Sequence, residues 1–419
     1  MEEYSNTAIV IGAGVVGLAT AVFLQRAGKS VTVIDPFPPA GGCSFGNAGM
    51  ISPNSVVPMS MPGMLRRVPG WVLDPAGPLV VRKQYLLSLM PWLLKWIRAG
   101  RLDKALEISD GLRALSKDTH AYWLELVGPQ RYADLVRPEG QVHLAEGDVP
   151  GGRRAAAECA IHARHGVRFD FLSTADIRRL FPGIAGDISH GYLVPGNGYT
   201  TNPARLVASV GETFVREGGV LVSERALKLV PEGTGITVLT NTSNRRAKDV
   251  VVAAGAFSDE LLRPLGIKVP LEAERGYHAM LPEANLTSLR PLIFKSRGFA
   301  MTPMENGVRV AGTVEFTYRH EAPDQARALQ LASKAKRLFP GLTHGEPTLW
   351  MGSRPSLPDS LPIIGPVTSI RGLHLAFGNG STGMTTGPAT ARLAADMVVG
   401  GNSRIDPRPY QLNRQALRH

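Results

Sequence analysis

The sequence predicts an α/β protein of two interleaved domains, one of them a doubly wound parallel sheet. Three observations predict it. The run TAIVIGAGVVG at 7–17 passes through a helical pattern into SVTVID at 30–35. A second set of similar elements starts at Asn202, and a third closes the chain between 350 and 399. With 419 residues, the chain also exceeds one ordinary hydrophobic core. The arrangement that reconciles these places one domain in 1–57, 196–265 and 350–419, and the other in 58–195 and 266–349.

Each element has a reason. TAIVI is a continuous apolar run, as a buried parallel strand requires. GVVGLATAVFLQRAG has helical spacing, and Gly28 stands where a C-terminal cap belongs. SVTVID is the second strand and completes a βαβ unit of the length a dinucleotide fold needs. Residues 37–78 are rich in Pro, Gly, Ser and Met, and long irregular stretches in compact domains are often functional. A helical zone is expected over 79–127, a strand at GQVHLAE (140–146) and a helix at RRAAAECAIHARHG (153–166). Asn202 can cap a helix that opens with Pro203. Strands follow at 219–223, as a pair over 226–240, and at DVVVAAG (249–255). Mixed strands and a helix are expected over 266–350, then the strand LHLAF, the loop GNGSTG and a last helix.

Composition narrows the function classes. Hydrophobic residues make up 44% and charged residues 19%, which excludes a disordered chain. The two cysteines, Cys43 and Cys159, give neither a disulfide framework nor a zinc spacing, and no metal is expected. This usage points to a reducing, cytoplasmic setting. The start MEEYSNTAIV lacks the basic and apolar regions of a secretory signal. The net charge of +11 admits nucleic acid, an anionic membrane surface or an anionic ligand. No dense Lys/Arg block, zinc finger or aromatic ribonucleoprotein motif accompanies it, so nucleic acid is not expected.

Gly12, Gly14 and Gly17 fit G-x-G-x-x-G. The first permits the tight turn, the second lets backbone approach a pyrophosphate, and the third lets helix pack on strand. The helix N-terminus offers free N–H groups and the positive end of its dipole. Asp35 ends the second strand, where a carboxylate accepts hydrogen bonds from ribose hydroxyls and disfavours a 2′-phosphate, hence NADP. The motif by itself does not separate NAD from FAD.

Four further segments make that separation: CSFGNAGMISP (43–53), VVVAAGAFS (250–258), GSRPSLPDSLPIIG (352–365) and GNGSTGMTTGPATARLAADMV (378–398). Their order and spacing resemble the D-amino-acid oxidase superfamily, closest to the bacterial D-amino-acid dehydrogenases of the small-subunit type. The resemblance implies non-covalent FAD, a Rossmann-like cofactor domain, and an α+β substrate domain with a large mixed sheet. It implies oxidation of D-amino acids to 2-oxo acids and ammonia, by hydride transfer from the α-carbon to flavin N5. Ser44, Asn47, Ala48, Gly49 and Met50 match the loop that runs under the isoalloxazine. Leu227 matches the position whose backbone meets the adenine, and Gly255 ends a strand where bare backbone passes the cofactor. Gly380, Ser381, Thr382, Gly383 and Met384 precede a helix whose N-terminus would stabilise negative charge on the reduced ring. Arg354 matches the family's carboxylate clamp, a role that suits a guanidinium fork. Tyr277 matches a substrate-contacting position. Arg275 and His278 are placed on the opposite strand face and given no catalytic role.

Hydride transfer asks for orientation and a neutral amine, so the lack of a Ser/His/Asp or Cys/His set is consistent. Two alternatives stay open. One is oxidation of a secondary amine such as D-hydroxyproline, D-proline or sarcosine; the other is a non-catalytic nucleotide-binding module. The segment QYLLSLMPWLLKWIRAG (84–100) adds a further expectation. Trp92 and Trp96 share one helical face and Lys95 and Arg98 another, with Pro91 opening a second helix. That is the composition of an interfacial helix, and equally of a core-facing one. The interfacial reading makes the protein peripheral on the inner face of the cytoplasmic membrane, with a quinone or another acceptor taking the electrons.

Overall fold

The computed structural model describes residues 6–64, 77, 79–146, 152–185, 188–286 and 290–417. Among these, one sheet has six strands in the order 220–222, 30–34, 7–11, 249–252, 373–377 and 363–366. Five run parallel, and 363–366 closes the edge antiparallel. Val250, Val251 and Val252 are all fully buried because both faces are covered. One face meets the helices Val15–Arg26, Pro203–Arg216 and Gly383–Val399; the other meets a three-stranded sheet spanning 226–247. Strand 7–11 lies between 30–34 and 249–252, so its carboxyl end is the topological switch point, where open α/β sheets bind ligands. The glycine triplet occupies that end.

Local signals act as expected at two helix ends. Gly28 has φ +88°, its N–H donates to the Gln25 carbonyl, and the Lys29 N–H donates to that of Leu24. This is the paired termination that a left-handed glycine permits. The Asn202 side chain accepts from the Arg205 N–H at 3.0 Å, and Pro203 takes the first helical position.

The second sheet has nine strands, ordered 348–356, 272–282, 307–316, 299–304, 292–294, 141–146, 188–194 and 170–173, with 79–81 beside 307–316. It is mixed: 79–81 and 307–316 run parallel, as do 141–146 and 292–294, among antiparallel neighbours. Helix Gln325–Leu338 covers one face, burying Ala328, Leu331, Ala335 and Leu338 against Tyr277, Ala279 and Leu281. The other face of 272–282 and 348–356 turns toward the first domain.

Three expectations need correction. A boundary at 350 cuts the strand Thr348–Ser356, which pairs with 272–282 over its whole length and belongs to the second sheet. The helices Leu102–Ser116 and Thr119–Val127 pack into the first domain's core through Ile108, Leu112, Leu115 and Trp123, although their sequence lies in the second domain's share. The Trp123 indole N–H donates to the Met384 carbonyl at 2.8 Å and ties that layer to the last helix. Finally, Pro91 lies inside one helix, Leu86–Ala99. Trp92 and Trp96 are 5% and 8% exposed and pack with Phe316, so the aromatic stripe faces the core. Among the described residues no helix is long and apolar enough to cross a membrane.

Three histidines of the second sheet and its flank, His278 buried and His143 and His162 half-buried, are held as neutral rings. Burial pushes His143 and His278 down to about 3 and His162 to about 4, with the Lys295 cation adding to His143 and His162. An unfolded chain protonates these rings near pH 6.5. Their stabilising contribution is therefore complete above that pH and lost as pH falls toward 4. The unfolding free energy from urea titration should be lower at pH 5.0 than at pH 7.5, falling below pH 6.5 by up to about 1.4 kcal/mol per pH unit for each of His143 and His278 and by less for the partly solvated His162. His143→Gln should shrink that difference, and equal free energies at both pH values would contradict the assignment.

Candidate functional site

Gly12 and Gly17 leave no room for a side chain, and Gly14 leaves little. Gly12 has φ +116°, and a Cβ there would lie 2.4 Å from the Ala253 carbonyl oxygen; one on Gly17 would lie 1.9 Å from the Gly12 oxygen. These contacts bring strand 7–11, the first helix and the turn after 249–252 together within backbone distance. A Cβ on Gly14 would meet the Ser44 hydroxyl at 3.3 Å, and that hydroxyl accepts from the Val15 N–H at 3.2 Å. The Asp35 carboxylate accepts from the Ala13 and Phe37 amides at 2.7 and 2.8 Å. Burial pushes its pKa up against the pull of those amides.

The loop 43–50 runs from this turn to the second sheet. The Asn47 amide donates to the Ser381 carbonyl at 3.4 Å, and its oxygen accepts from the Gly49 N–H at 2.9 Å. Gly49 takes φ +78°, and Met50 pairs with Tyr199 in a short ladder beyond Ala48. Gly255, at φ +57°, opens the turn after Ala254. The turn Gly380–Thr382 feeds the helix that starts at Gly383, placing its N-terminus near Val15 and so near the first helix's own N-terminus. Met384 itself is buried in the core behind. Leu227 falls at the irregularity between strands 226–232 and 235–240, so its backbone groups stand outside that ladder.

These features fit a flavin dinucleotide. The glycine turn and two converging helix N-termini suit phosphates and a ring that gains negative charge. The unladdered Leu227 backbone suits an adenine edge. Asn379 is 5% exposed, spends its amide on Thr386 and Thr390, and leaves its Oδ1 without a protein partner beside the 380–384 turn.

The second sheet supplies the opposite wall. The end of strand 348–356 packs against both the Gly255 and the Gly380 turns. Arg354 lies there, 20% exposed, with its guanidinium flat over Gly276; a Cβ on Gly276 would lie 2.1 Å from Nη2. Its Nη1 donates to Glu274 at 2.7 Å and to the Thr313 carbonyl at 3.4 Å. Thr313 takes φ +57° where strand 307–316 bulges against 272–282, and such bulges re-aim backbone groups. Burial pushes the nearby Cys43 thiol up to about 11, with Arg354 pulling the other way, so it is a neutral thiol.

Tyr277 does not join this wall. It is 1% exposed on the helix-covered face, donates to Glu315 at 2.5 Å and accepts from the Asp324 N–H at 3.2 Å. Burial, then Glu315, pushes its pKa up to about 12. Arg275, two residues away, shares that side and holds the carbonyls of Tyr318 and Ala322. The strand's alternation reverses the expectation: Glu274, Gly276 and His278 face the cofactor loop. His278 donates through Nδ1 to the Gly46 carbonyl at 2.9 Å and stacks on Trp350 at 5.0 Å. Arg309 donates to the Asn47 carbonyl at 2.6 Å. The signal for Glu274, Gly276 and His278 was present in EAERGYHAM: a glycine between two polar residues at a spacing of two. Arg309 and Trp350 carried none, because their roles depend on other strands.

Comparison with known proteins identifies the family and the fold. The family model described as DAO, FAD dependent oxidoreductase, matches residues 7–397. A D-amino-acid oxidase of Bradyrhizobium diazoefficiens is 33% identical, the match covering 99% of this chain and 100% of that one. A D-amino acid dehydrogenase of Rhodopseudomonas palustris is 32% identical, covering 97% of each. The glycine oxidase of Geobacillus kaustophilus shares the fold with a TM-score of 0.72 at 20% identity, over 98% of both chains.

A pair of variants separates the two faces of strand 272–282. Gly276→Ala should displace the Arg354 guanidinium and lower kcat/KM roughly a hundredfold, as small misplacements at a reacting site do. Tyr277→Phe should cost about 1–3 kcal/mol of stability by removing one partner of a buried hydrogen bond, with KM moved less than about threefold. Steady-state kinetics and urea unfolding read both; the reverse pattern would restore Tyr277 to the site.

Proposed function

Because this chain belongs to the DAO family of FAD dependent oxidoreductases, with FAD as its cofactor, we propose that it oxidises D-amino acids to 2-oxo acids and ammonia. The observation that carries the reading is Arg354: a cation with N–H groups to spare, laid on a glycine at the junction of the loops expected to hold the cofactor. Bound FAD would supply the redox chemistry, as the hydride acceptor. The chain's part is orientation. Arg354 binds the carboxylate as a fork and fixes which face of the α-carbon is presented. The neutral His278 and the stacked Trp350 form an uncharged wall beside it, which favours an amine in its neutral form. The helix N-terminus at Gly383 stabilises the negative charge the ring acquires.

The test is anaerobic. D-Amino acids added to the yellow protein should bleach the flavin band near roughly 450 nm, a property of the cofactor, while L-amino acids should leave it unchanged. Bleaching by cyclic imino acids or sarcosine alone would replace this reading with secondary-amine oxidation.

A second reading concerns the surface and the electron acceptor. Leu86, Leu87, Met90 and Leu94 are 43%, 85%, 40% and 49% exposed on one face of their helix, opposite the buried tryptophans. Exposed Lys83, Arg98 and Arg101 flank this row. Aliphatic side chains framed by cations suit an anionic bilayer surface and delivery of electrons to a quinone there. Sedimentation with phosphatidylglycerol vesicles at low salt should carry the protein down, and Leu87→Glu/Leu94→Glu should release it. Failure of the parent protein to sediment would remove the membrane reading and leave the reaction untouched.

A further inference from the structure

Glu274 stands directly across from Arg354 in the antiparallel pair and is 1% exposed. Its Oε1 accepts from Arg354 Nη1 at 2.7 Å, and its Oε2 accepts from the Ser356 hydroxyl at 2.8 Å. The remaining N–H groups of Arg354 make no hydrogen bond to the described residues. A buried carboxylate therefore occupies one edge of the cation assigned to the substrate's carboxylate. Electrostatically it opposes that ligand, so its effect on binding has a definite sign.

We propose that Glu274 is a positioning and specificity-setting residue that pins one edge of Arg354 and cancels its charge. With the pair neutral, a monocarboxylate binds to the free edge through directed hydrogen bonds. A second negative charge on the ligand is repelled by Glu274, whose own counter-charge is already taken up by Arg354. The site thereby selects amino acids with uncharged or cationic side chains over dicarboxylic ones. Ser356 holds the outer oxygen of Glu274, so the carboxylate cannot swing away when substrate arrives. The inference rests on Arg354 being the carboxylate clamp.

Glu274→Gln keeps the shape and leaves an oxygen to accept from Arg354 but removes the charge. The probe is benzoate, a carboxylate with no α-hydrogen to be oxidised, titrated into the FAD-loaded enzyme and read from the visible spectrum. Glu274→Gln should bind benzoate about tenfold tighter, because the guanidinium loses its internal counter-charge. It should also raise kcat/KM for D-glutamate relative to D-alanine. Glu274→Ala should lower kcat at saturating substrate, since the guanidinium loses its pinned edge, while benzoate binds no more weakly than in the parent. A merely structural carboxylate predicts the opposite: weaker benzoate binding in both variants, and that result, or unchanged affinity and selectivity in Glu274→Gln, overturns the proposal. Arg354→Gln separates the two levels. If it leaves benzoate affinity unchanged, the clamp assignment itself is wrong; if it weakens benzoate while Glu274→Gln does nothing, only the role of Glu274 falls.

Discussion

A buried cation fixes how the two sheets meet. Arg309, on the second sheet, is 9% exposed and donates to the carbonyls of Phe45 and Asn47, in the loop that leaves the first domain's nucleotide turn. Burial pushes its pKa down to about 10, so it still carries its charge at neutral pH. An unpaired charge in such a place is costly unless hydrogen-bonded, and backbone carbonyls are its partners here. His278 adds a third bond to the same loop, at the Gly46 carbonyl. Gly46 can lie there only as glycine, because a Cβ would fall 2.2 Å from the Trp350 ring. The loop proposed to line the cofactor is therefore set by the sheet proposed to bind the substrate.

That dependence explains the placing of the site. The carboxyl end of strand 7–11 is a switch point by topology alone, and it suffices for a nucleotide. Chemistry on an amino acid needs a second wall at a fixed distance. Strand 348–356 provides it by pairing with 272–282 along one side and packing on the Gly255 and Gly380 turns along the other. Arg354 itself is held by the second sheet, through Glu274 and the Thr313 carbonyl, while its strand packs on the first domain's turns. A shift between the domains would move Arg354, the proposed clamp, relative to the Gly255 and Gly380 turns.

Much of this was legible in the sequence, and the losses have specific causes. The βαβ unit, the Asn202 cap and the buried valine strand are local features, readable from spacing and capping chemistry. The mixed sheet and the flavin loops came from the order of four separated segments. Tyr277 was misplaced on its residue type, whereas the alternation of Glu274, Gly276 and His278 around it marked the other face as the one turned to the loop. The boundary at 350 failed because a strand's partner is a long-range fact. The tryptophans of 86–99 admitted both an interfacial and a core-facing reading because the two stripes share one pattern, and packing on Phe316 decides for the core.

The central claim is that the Gly276 face of strand 272–282, not the Tyr277 face, meets substrate beside the flavin. A crystal structure of the FAD-loaded protein with benzoate tests it most directly. The carboxylate should lie on the free edge of Arg354, above Gly276, with the Gly383 helix N-terminus against the ring. A carboxylate held elsewhere, with Arg354 still bound only to Glu274, would contradict it.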